Sequence, residues 1–231
     1  MKAMILAAGR GERMRPLTDV TPKPLLEVGG KPLIVWHLER LAEAGFRDVV
    51  INHAHLGAQI EARLGNGASW GLSIRYSAEA AALETAGGIA NALSMLGPEA
   101  FMVVNGDTFT DIDFRALQQA LQPGDDAHLV LVDNPPQHPG GDFAWHAGRV
   151  SSAGEPRLTF SGTGVYRPTL FDSVQPGDSA RLAPLLHAAI SAGKVSGTYH
   201  RGVWHDIGTP QRLQELDSEL KAKRSKVKHG G

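Results

Sequence analysis

Short apolar runs alternate with amphipathic segments through the first 130 residues of the chain. Apolar runs of about four to eight residues are typical of buried strands, and apolar positions spaced about three to four apart are typical of helices. The pattern predicts strands at residues 3–8, 49–52, 72–77, 101–107 and 128–132. It predicts helices at residues 33–44, 57–64, 85–96 and 114–121.

This alternation, with short connections, predicts an α/β fold with a Rossmann-like, mostly parallel sheet flanked by helices. Ligands of such sheets bind outside the carboxyl ends of the strands. Residues 9–15, 52–53 and 105–107 each follow a predicted strand. We therefore expect these three distant segments to meet in one crevice.

The pattern changes from Asn134 onward, where prolines and glycines divide the chain into short β segments. This change predicts a small β-rich lobe inserted over the edge of the sheet, within the same folding unit. Residues 158–166 and 203–207 are expected to return to the main sheet, and helices are expected at 183–192 and 211–223. We expect one domain over residues 1–217, with 218–231 forming a basic tail that is disordered or ends the last helix.

Composition is ordinary for a globular protein, at 42% hydrophobic and 20% charged residues in a chain of 231. The net charge of −1 predicts no general attraction to nucleic acid, so any phosphate binding must be local. Cysteine is absent, which excludes disulfides, thiol catalysis and cysteine-bound zinc. With no apolar run approaching the ~20 residues of a membrane helix, we expect a cytoplasmic protein without a membrane partner, as a monomer or weak homo-oligomer.

A loop rich in glycine and arginine follows the first predicted strand. Gly9 and Gly11 allow backbone N–H groups to approach an anion, and Arg13 adds positive charge. Lys23 follows between two prolines, which restrict its backbone. The combination predicts a polyphosphate site, whereas an isolated pair of glycines would be explained equally well by a tight turn.

Two other phosphate-binding motifs are excluded by single residues. A Walker loop ends in Gly-Lys-Ser/Thr, but Gly11 is followed by Glu12. A dinucleotide fingerprint requires a third glycine where Met14 stands. The loop therefore belongs to neither class.

Two carboxylates each follow a short β-prone run. Asp107 comes after Asn105 and a glycine, and Asp206 precedes a Gly-Thr-Pro turn. An aspartate placed after a strand is a common ligand of Mg²⁺ beside substrate phosphates. Taken alone, each segment could equally be an ordinary turn.

Taken together, residues 6–17, 22–25 and 30–34 with Asp107 and Asp206 resemble the sugar-1-phosphate nucleotidyltransferases. The resemblance covers residues 1–217 and implies transfer of a nucleotidyl group from an NTP to a sugar-1-phosphate with Mg²⁺. It implies catalytic roles for Arg13, Lys23, Asp107 and Asp206, with the two aspartates as metal ligands. The implied nucleotide-binding residues are Leu6, Ala8, Gly9, Gly11, Glu12, Arg13, Lys23, Thr85 and Gly87. On the sugar-phosphate side we expect Asn105, Asp142, Glu155, Ser161 and Gly162.

Two departures from the family pattern leave the base and the sugar open. Glu84 stands where the family usually has glycine, and a lysine common in relatives is missing from residues 155–157, where only Arg157 follows. UTP is the favoured nucleotide. The alternatives are GTP with mannose-1-phosphate, a thymidylyl or uridylyl transfer to glucose-1-phosphate, a cytidylyl or choline-phosphate transferase, and a sensor that binds nucleotide sugars without turnover.

Overall fold

The computed structural model describes the backbone of residues 1–229 and the side chains of residues 1–223. Its strands are β1 (Lys2–Leu6), β2 (Glu27–Val28), β3 (Lys31–Pro32), β4 (Asp48–His53), β5 (Ser73–Ala78), β6 (Phe101–Asn105), β7 (Thr108–Thr110), β8 (Ala127–Val132), β9 (Phe143–His146), β10 (Arg149–Ser151), β11 (Arg157–Tyr166), β12 (Val195–Tyr199) and β13 (Trp204–Asp206). Its α-helices are α1 (Leu17–Val20), α2 (Leu33–Glu43), α3 (Gly57–Leu64), α4 (Glu84–Leu96), α5 (Phe114–Leu117), α6 (Leu182–Ser191) and α7 (Pro210–His229). None of the helices among the described residues is long and apolar enough to cross a membrane.

Nine strands form one mixed sheet in the order β5-β4-β1-β6-β11-β8-β12-β10-β9. The first four strands of this order are parallel, and their connections carry helices. Strand β11 runs antiparallel to β6 and β8, and β12 is again parallel to β8. The predicted α/β class is therefore confirmed, with the parallel character concentrated in the N-terminal half.

Hydrophobic cores cover both faces of the sheet. Side chains alternate across a strand, so Met4 packs with α4 and α6 on one face, while Ala3 and Ile5 pack with α2, α3 and α5 on the other. Strand β1 is buried on both sides at these positions. This burial holds the carboxyl end of β1, and the loop that follows it, in a fixed position.

The β-rich segment after Asn134 extends the main sheet. Strand β9 pairs with both β10 and β11, so β11-β8-β12-β10-β9 form a closed ring of pairings. The expected return of residues 158–166 to the sheet is confirmed as β11. Strand β12 was not predicted, because its sequence is short and contains serine and glycine, which are weak strand formers.

The expectation that residues 203–207 rejoin the main sheet is wrong. Strand β13 pairs with β7 in a separate two-stranded sheet, with Asp206 opposite Thr108. Strand β6 has β1 and β11 on its two edges, and β13 pairs instead with β7, the short strand that follows Asp107. The helix predicted for residues 114–121 is also shorter, since α5 ends at Leu117.

A third core joins helix α7 to the N-terminal loop. Leu216 and Leu220 pack with Met14, Val28 and other apolar residues of that region. The carboxylate of Asp217 accepts a hydrogen bond of 2.9 Å from the backbone N–H of Gly29. Helix α7 is longer than predicted, and the last two residues of the predicted basic tail lie outside the described residues.

Candidate active site

Two adjoining cavities lie at the carboxyl ends of the parallel strands. The larger, of about 440 Å³, is lined by Leu6, Ala7, Ala8, Gly9, Gly11, Glu12, Arg13, Met14, Lys23, Pro24, Asn52, Glu79, Ala82, Glu84, Thr85, Asn105, Asp107 and Gly208. The smaller, of about 240 Å³, is lined by Asn105, Asp107, Thr108, Pro135, Gln137, His138, Thr159, Phe160, Ser161, Gly162, Trp204 and Asp206. Asn105 and Asp107 line both. The crevice expected from the three strand ends is present.

The loop after β1 is held close to Lys23 by Gly11. This glycine has φ of 70°, and a Cβ there would lie 3.0 Å from the Cγ2 of Thr18 and 3.3 Å from the Cβ of Lys23. The hydroxyl of Thr18 donates a hydrogen bond of 2.9 Å to the Gly11 carbonyl. A larger residue at this position would push the loop away from the lysine.

Lys23 is a buried cation in the wall of the larger cavity. It begins a short 3-10 turn flanked by Pro22, and only 8% of its side chain is exposed. Its Nζ donates to Oδ2 of Asp107 over 2.7 Å. The restricted backbone and the ion pair hold a positive charge next to Asp107, which lines both cavities.

Asp107 and Asp206 are brought together by the pairing of β7 with β13. The register places Asp206 opposite Thr108, and the N–H of Ile207 donates to the Asp107 carbonyl over 3.0 Å. Their side chains are 38% and 26% exposed, so both carboxylates can reach a ligand. Mg²⁺ favours such oxygen donors, usually together with substrate phosphates. The residues present therefore fit a magnesium ion, although no larger metal-binding cluster is found among the described residues.

An arginine pairs with Asp206, and a second lies close to the neighbouring Gly208. Nη1 of Arg212 lies 2.9 Å from Oδ2 of Asp206. A Cβ added to Gly208 would lie 3.1 Å from Nη2 of Arg13 and 3.1 Å from Nη1 of Arg212. Gly208 therefore leaves the space that the two guanidinium groups occupy.

Glu12 lines the larger cavity, but its carboxylate pairs with a neighbour on the loop. Oε1 of Glu12 lies 2.8 Å from Nε of Arg10, and Arg15 pairs with Asp19. Neither Arg10 nor Arg15 lines a cavity. These exposed pairs contribute little stability but keep the loop's other arginines occupied, leaving Arg13 facing the site.

The sequence analysis missed a buried pair on the wall of the larger cavity. Oδ1 of Asn52 accepts the Ala7 N–H at 2.9 Å, and its Nδ2 donates to Oε1 of Glu79 at 2.6 Å. The second oxygen of Glu79 accepts the Leu83 N–H at 3.0 Å. Glu79 could have been identified from its position in the sequence, because it follows the end of β5 in the way that Asp107 follows the end of β6.

The start of α4 forms another part of the larger cavity. Glu84 has φ of 62°, a left-handed conformation that is rare for a residue with a side chain, and Thr85 follows it in the cavity wall. Gly87, predicted to bind nucleotide, lies outside both cavities. A Cβ there would collide with the backbone carbonyl of Asp178, so this glycine allows α4 to pack closely, and its nucleotide contact stays a prediction.

The smaller cavity contains only part of the predicted sugar-phosphate set. Ser161, Asn105 and Gly162 line it. Gly162 has φ of 78°, and a Cβ there would collide with the side-chain amide of Asn105. A glycine at this point of β11 thus allows Asn105 to reach the junction of the cavities.

Asp142 and Glu155 line neither of these two cavities, and their role as sugar contacts stays a prediction. Oδ2 of Asp142 accepts the Phe160 N–H at 2.7 Å, and Oδ1 lies 3.0 Å from Nε2 of His138. Glu155 accepts the backbone N–H of Arg157 at 3.0 Å. Both carboxylates are engaged in local structure, and His138 is the residue that faces the cavity.

His37 supports the strand that follows Asp107. Its Nε2 donates to the Thr108 carbonyl over 2.8 Å, which fixes the proton on that nitrogen, while Nδ1 has no partner among the described residues. Complete burial lowers the pKa of His37 to about 4. The ring is therefore neutral at physiological pH and acts as a structural donor.

Comparisons with known proteins identify the family of this chain. The family profile described as Nucleotidyl transferase matches residues 2–143. The chain belongs to this family, as a sugar-1-phosphate nucleotidyltransferase. It is 57% identical over 225 residues to the N-acetylmuramate alpha-1-phosphate uridylyltransferase of Neisseria meningitidis, with 94% of this chain and 97% of that protein covered.

Two more distant similarities complete the comparison. The chain is 30% identical over 238 residues to the mannose-1-phosphate guanylyltransferase of Mycobacterium tuberculosis, covering 94% of this chain and 64% of that protein. A Bacillus anthracis structure assigned as a glucose-1-phosphate thymidylyltransferase, solved with sucrose, superimposes with a TM-score of 0.83 at 23% identity. That superposition covers 96% of this chain and 95% of the other, and it confirms the fold.

Proposed function

We propose that this chain transfers the uridylyl group of UTP to N-acetylmuramate α-1-phosphate, giving UDP-N-acetylmuramate and pyrophosphate. The observation that carries the reaction type is the junction of two cavities at Asp107, which is paired with the buried Lys23. The choice of UTP and N-acetylmuramate α-1-phosphate is supported by the 57% identical relative that bears this activity in its name. Such a reaction would convert a sugar acid of the cell wall into a nucleotide sugar that can be used again in synthesis.

In this reaction an oxygen of the sugar phosphate attacks the α-phosphorus of UTP. The bond from the α-phosphorus to the oxygen bridging it to the β-phosphate breaks, and pyrophosphate carries away that electron pair. A phosphate monoester has a second pKa of about 6, so the nucleophile is already largely ionised at neutral pH. The protein therefore needs no general base, and its task is to bring two anions together and balance their charge.

The larger cavity is proposed to hold the nucleotide. The backbone of Gly9 and Gly11 would face the phosphates, with Arg13 beside them. The base would lie toward Glu84 and Thr85 at the start of α4. The smaller cavity would hold the sugar phosphate, close to the side chains of Asn105 and Ser161 and to the backbone of Gly162.

Asp107 and Asp206 would hold Mg²⁺ where the two substrates meet. When bound, the ion neutralises phosphate charge and orients the reacting oxygens. Lys23 is placed to offset the charge that develops in the transition state, and its burial strengthens that interaction. The cytoplasmic location and the monomeric or weakly oligomeric state stay predictions from the sequence.

The test is pyrophosphate release by the purified protein, with Mg²⁺, from each of four NTPs. Each nucleotide is paired with N-acetylmuramate α-1-phosphate, mannose-1-phosphate or glucose-1-phosphate. We expect turnover with UTP and N-acetylmuramate α-1-phosphate and its loss on chelation of the metal. Preferred turnover of GTP with mannose-1-phosphate would overturn the substrate assignment alone. Binding of nucleotide sugars without turnover of any pair would instead favour the sensor.

A further inference from the structure

The smaller cavity has an uneven distribution of charge. Two of its lining residues, Asp107 and Asp206, are acidic. Among the described residues that line it, His138 is the one side chain able to carry a positive charge. His138 belongs to the part of the cavity that is not shared with the larger one.

The loop that carries His138 is held in place by several hydrogen bonds. The backbone N–H of His138 donates to the Pro135 carbonyl over 2.8 Å. Its Nε2 lies 3.0 Å from Oδ1 of Asp142, whose other oxygen accepts the Phe160 N–H at 2.7 Å. Asp142 therefore fixes the orientation of the imidazole ring, and Nδ1 is the nitrogen left for a ligand.

We propose that His138 binds the carboxylate of the lactyl ether that distinguishes N-acetylmuramate from N-acetylglucosamine, an inference that rests on the proposed function. This carboxylate is the only charge on the sugar besides the phosphate. The two aspartates of the cavity already occupy the nearby cations, Asp107 pairing with Lys23 and Asp206 with Arg212, so the substrate carboxylate requires a positive partner of its own. His138 meets this requirement, with Asp142 behind it as the positioning residue.

In this arrangement each ring nitrogen of His138 binds one carboxylate, that of Asp142 or that of the substrate. An imidazolium donates from both nitrogens, so Nε2–H can stay with Asp142 while Nδ1–H reaches the substrate. A hydrogen bond between charged groups is roughly twice as strong as a neutral one. The arrangement favours a sugar with an acidic substituent over neutral sugars of the same size.

The experiment compares the binding of two products by calorimetry. UDP-N-acetylmuramate and UDP-N-acetylglucosamine differ only in the lactyl group, so the ratio of their Kd values isolates its contribution. We expect the wild-type protein to prefer UDP-N-acetylmuramate, and His138→Ala to reduce that preference about tenfold or more. His138→Asn, which keeps a polar side chain without the charge, should also reduce it.

His146→Ala provides a matched control, because His146 is exposed and lines neither cavity. It should keep the wild-type ratio. An unchanged ratio in both His138 variants, or no preference in the wild-type protein, would overturn the inference. Synthesis of UDP-N-acetylmuramate by the wild-type protein tests the proposed function separately, so the two failures can be told apart.

Discussion

The ammonium group of Lys23 and Oδ2 of Asp107 lie 2.7 Å apart, although the residues are 84 positions apart in the chain. The contact links the 3-10 turn that begins at Lys23 to the turn after β6, and both residues line the larger cavity. In the structure each charge is balanced by the other. We expect the pair to separate when substrates bind, with Asp107 turning to the metal and Lys23 to the phosphates.

Replacing Lys23 should reduce activity far more than stability. We expect Lys23→Ala to lower kcat/KM by about 10²- to 10³-fold, the size of effect seen when one charge-stabilising group is removed from an active site. Lys23→Arg should recover little, because the buried position suits a compact ammonium group. Lys31→Ala, which removes a lysine that lines neither cavity, is the control for steady-state kinetics. Near-wild-type rates for Lys23→Ala would contradict the assigned role.

Asp107 and Asp206 should determine the concentration of Mg²⁺ that the reaction requires. We expect Asp107→Asn and Asp206→Asn each to raise the Mg²⁺ concentration for half-maximal rate about tenfold or more, because a neutral amide is a weaker ligand than a carboxylate. Magnesium titrations of the initial rate measure this effect. Asp172→Asn changes an exposed aspartate outside the site and should leave the titration unchanged. The metal assignment is wrong if all three variants titrate alike.

Gly162 should affect the sugar-phosphate side through Asn105. A Cβ at this residue collides with the Asn105 amide, and its φ of 78° disfavours alanine as well. We expect Gly162→Ala to raise the KM for the sugar phosphate more than the KM for the nucleotide. Gly140→Ala is the control, because a Cβ there has nothing within 4 Å. Equal changes in both KM values would argue against a local effect.

The left-handed backbone of Glu84 should be visible in stability. A residue with a side chain is strained in this conformation by roughly 1–2 kcal/mol. Glycine avoids that strain, but it loses more backbone entropy on folding, which costs roughly 0.5–1 kcal/mol. Glu84→Gly should therefore raise the free energy of unfolding by about 0.5–1 kcal/mol while changing the KM for UTP. Ala147→Gly relieves the same conformation (φ of 47°) outside both cavities. The Ala147→Gly variant should be stabilised by a similar amount, with an unchanged KM for UTP. A changed KM for UTP in Ala147→Gly would show that the effect of Glu84→Gly is not specific to the cavity.

The neutral, buried His37 should make the protein less stable in mild acid. Burial lowers its pKa to about 4 from 6.5, so between these values the unfolded chain binds more protons than the folded one. The stability gained from keeping His37 neutral is fully present above 6.5, the pKa of the unfolded chain. It is lost as the pH falls from 6.5 toward about 4. Going from about pH 8 to about pH 5 should remove roughly 2 kcal/mol.

Denaturant unfolding at the two pH values measures this loss. His37→Gln retains a donor for the Thr108 carbonyl but cannot titrate. This variant should show a smaller fall in the free energy of unfolding than the wild-type protein. Identical falls in both proteins would assign the acid sensitivity to other groups, such as His128, whose pKa is also lowered by burial.

Local patterns were sufficient to predict the parallel half of the sheet and the crevice to which the glycine loop and Asp107 belong. Strand β1, the glycine loop and Lys23 lie within a short stretch whose apolar period, turn residues and prolines act on neighbouring residues. Asp107 could be predicted because a carboxylate after a buried strand lies at the ligand-binding edge of any such sheet. These features depend little on what the rest of the chain does.

Features that depend on the choice of a distant partner could not be predicted. The pairing of β13 with β7 joins two segments that lie far apart in the chain, which no local pattern indicates. Gly87 has the sequence context of a ligand-binding glycine, yet its constraint comes from the backbone of Asp178. Likewise, whether Asp142 faces the cavity or supports His138 is decided by the fold of the intervening loop.

The core between helix α7 and the N-terminal loop has a consequence for how the enzyme is made. Ribosomes synthesise the loop and Asp107 early, but Asp206 and the helix that packs on Met14 and Val28 come much later. A nascent chain can therefore complete its sheet's parallel half while the catalytic loop still lacks its support. We expect a chain that ends before Asp206 to be inactive, because it lacks one of the two proposed metal ligands and the helix that packs on this loop.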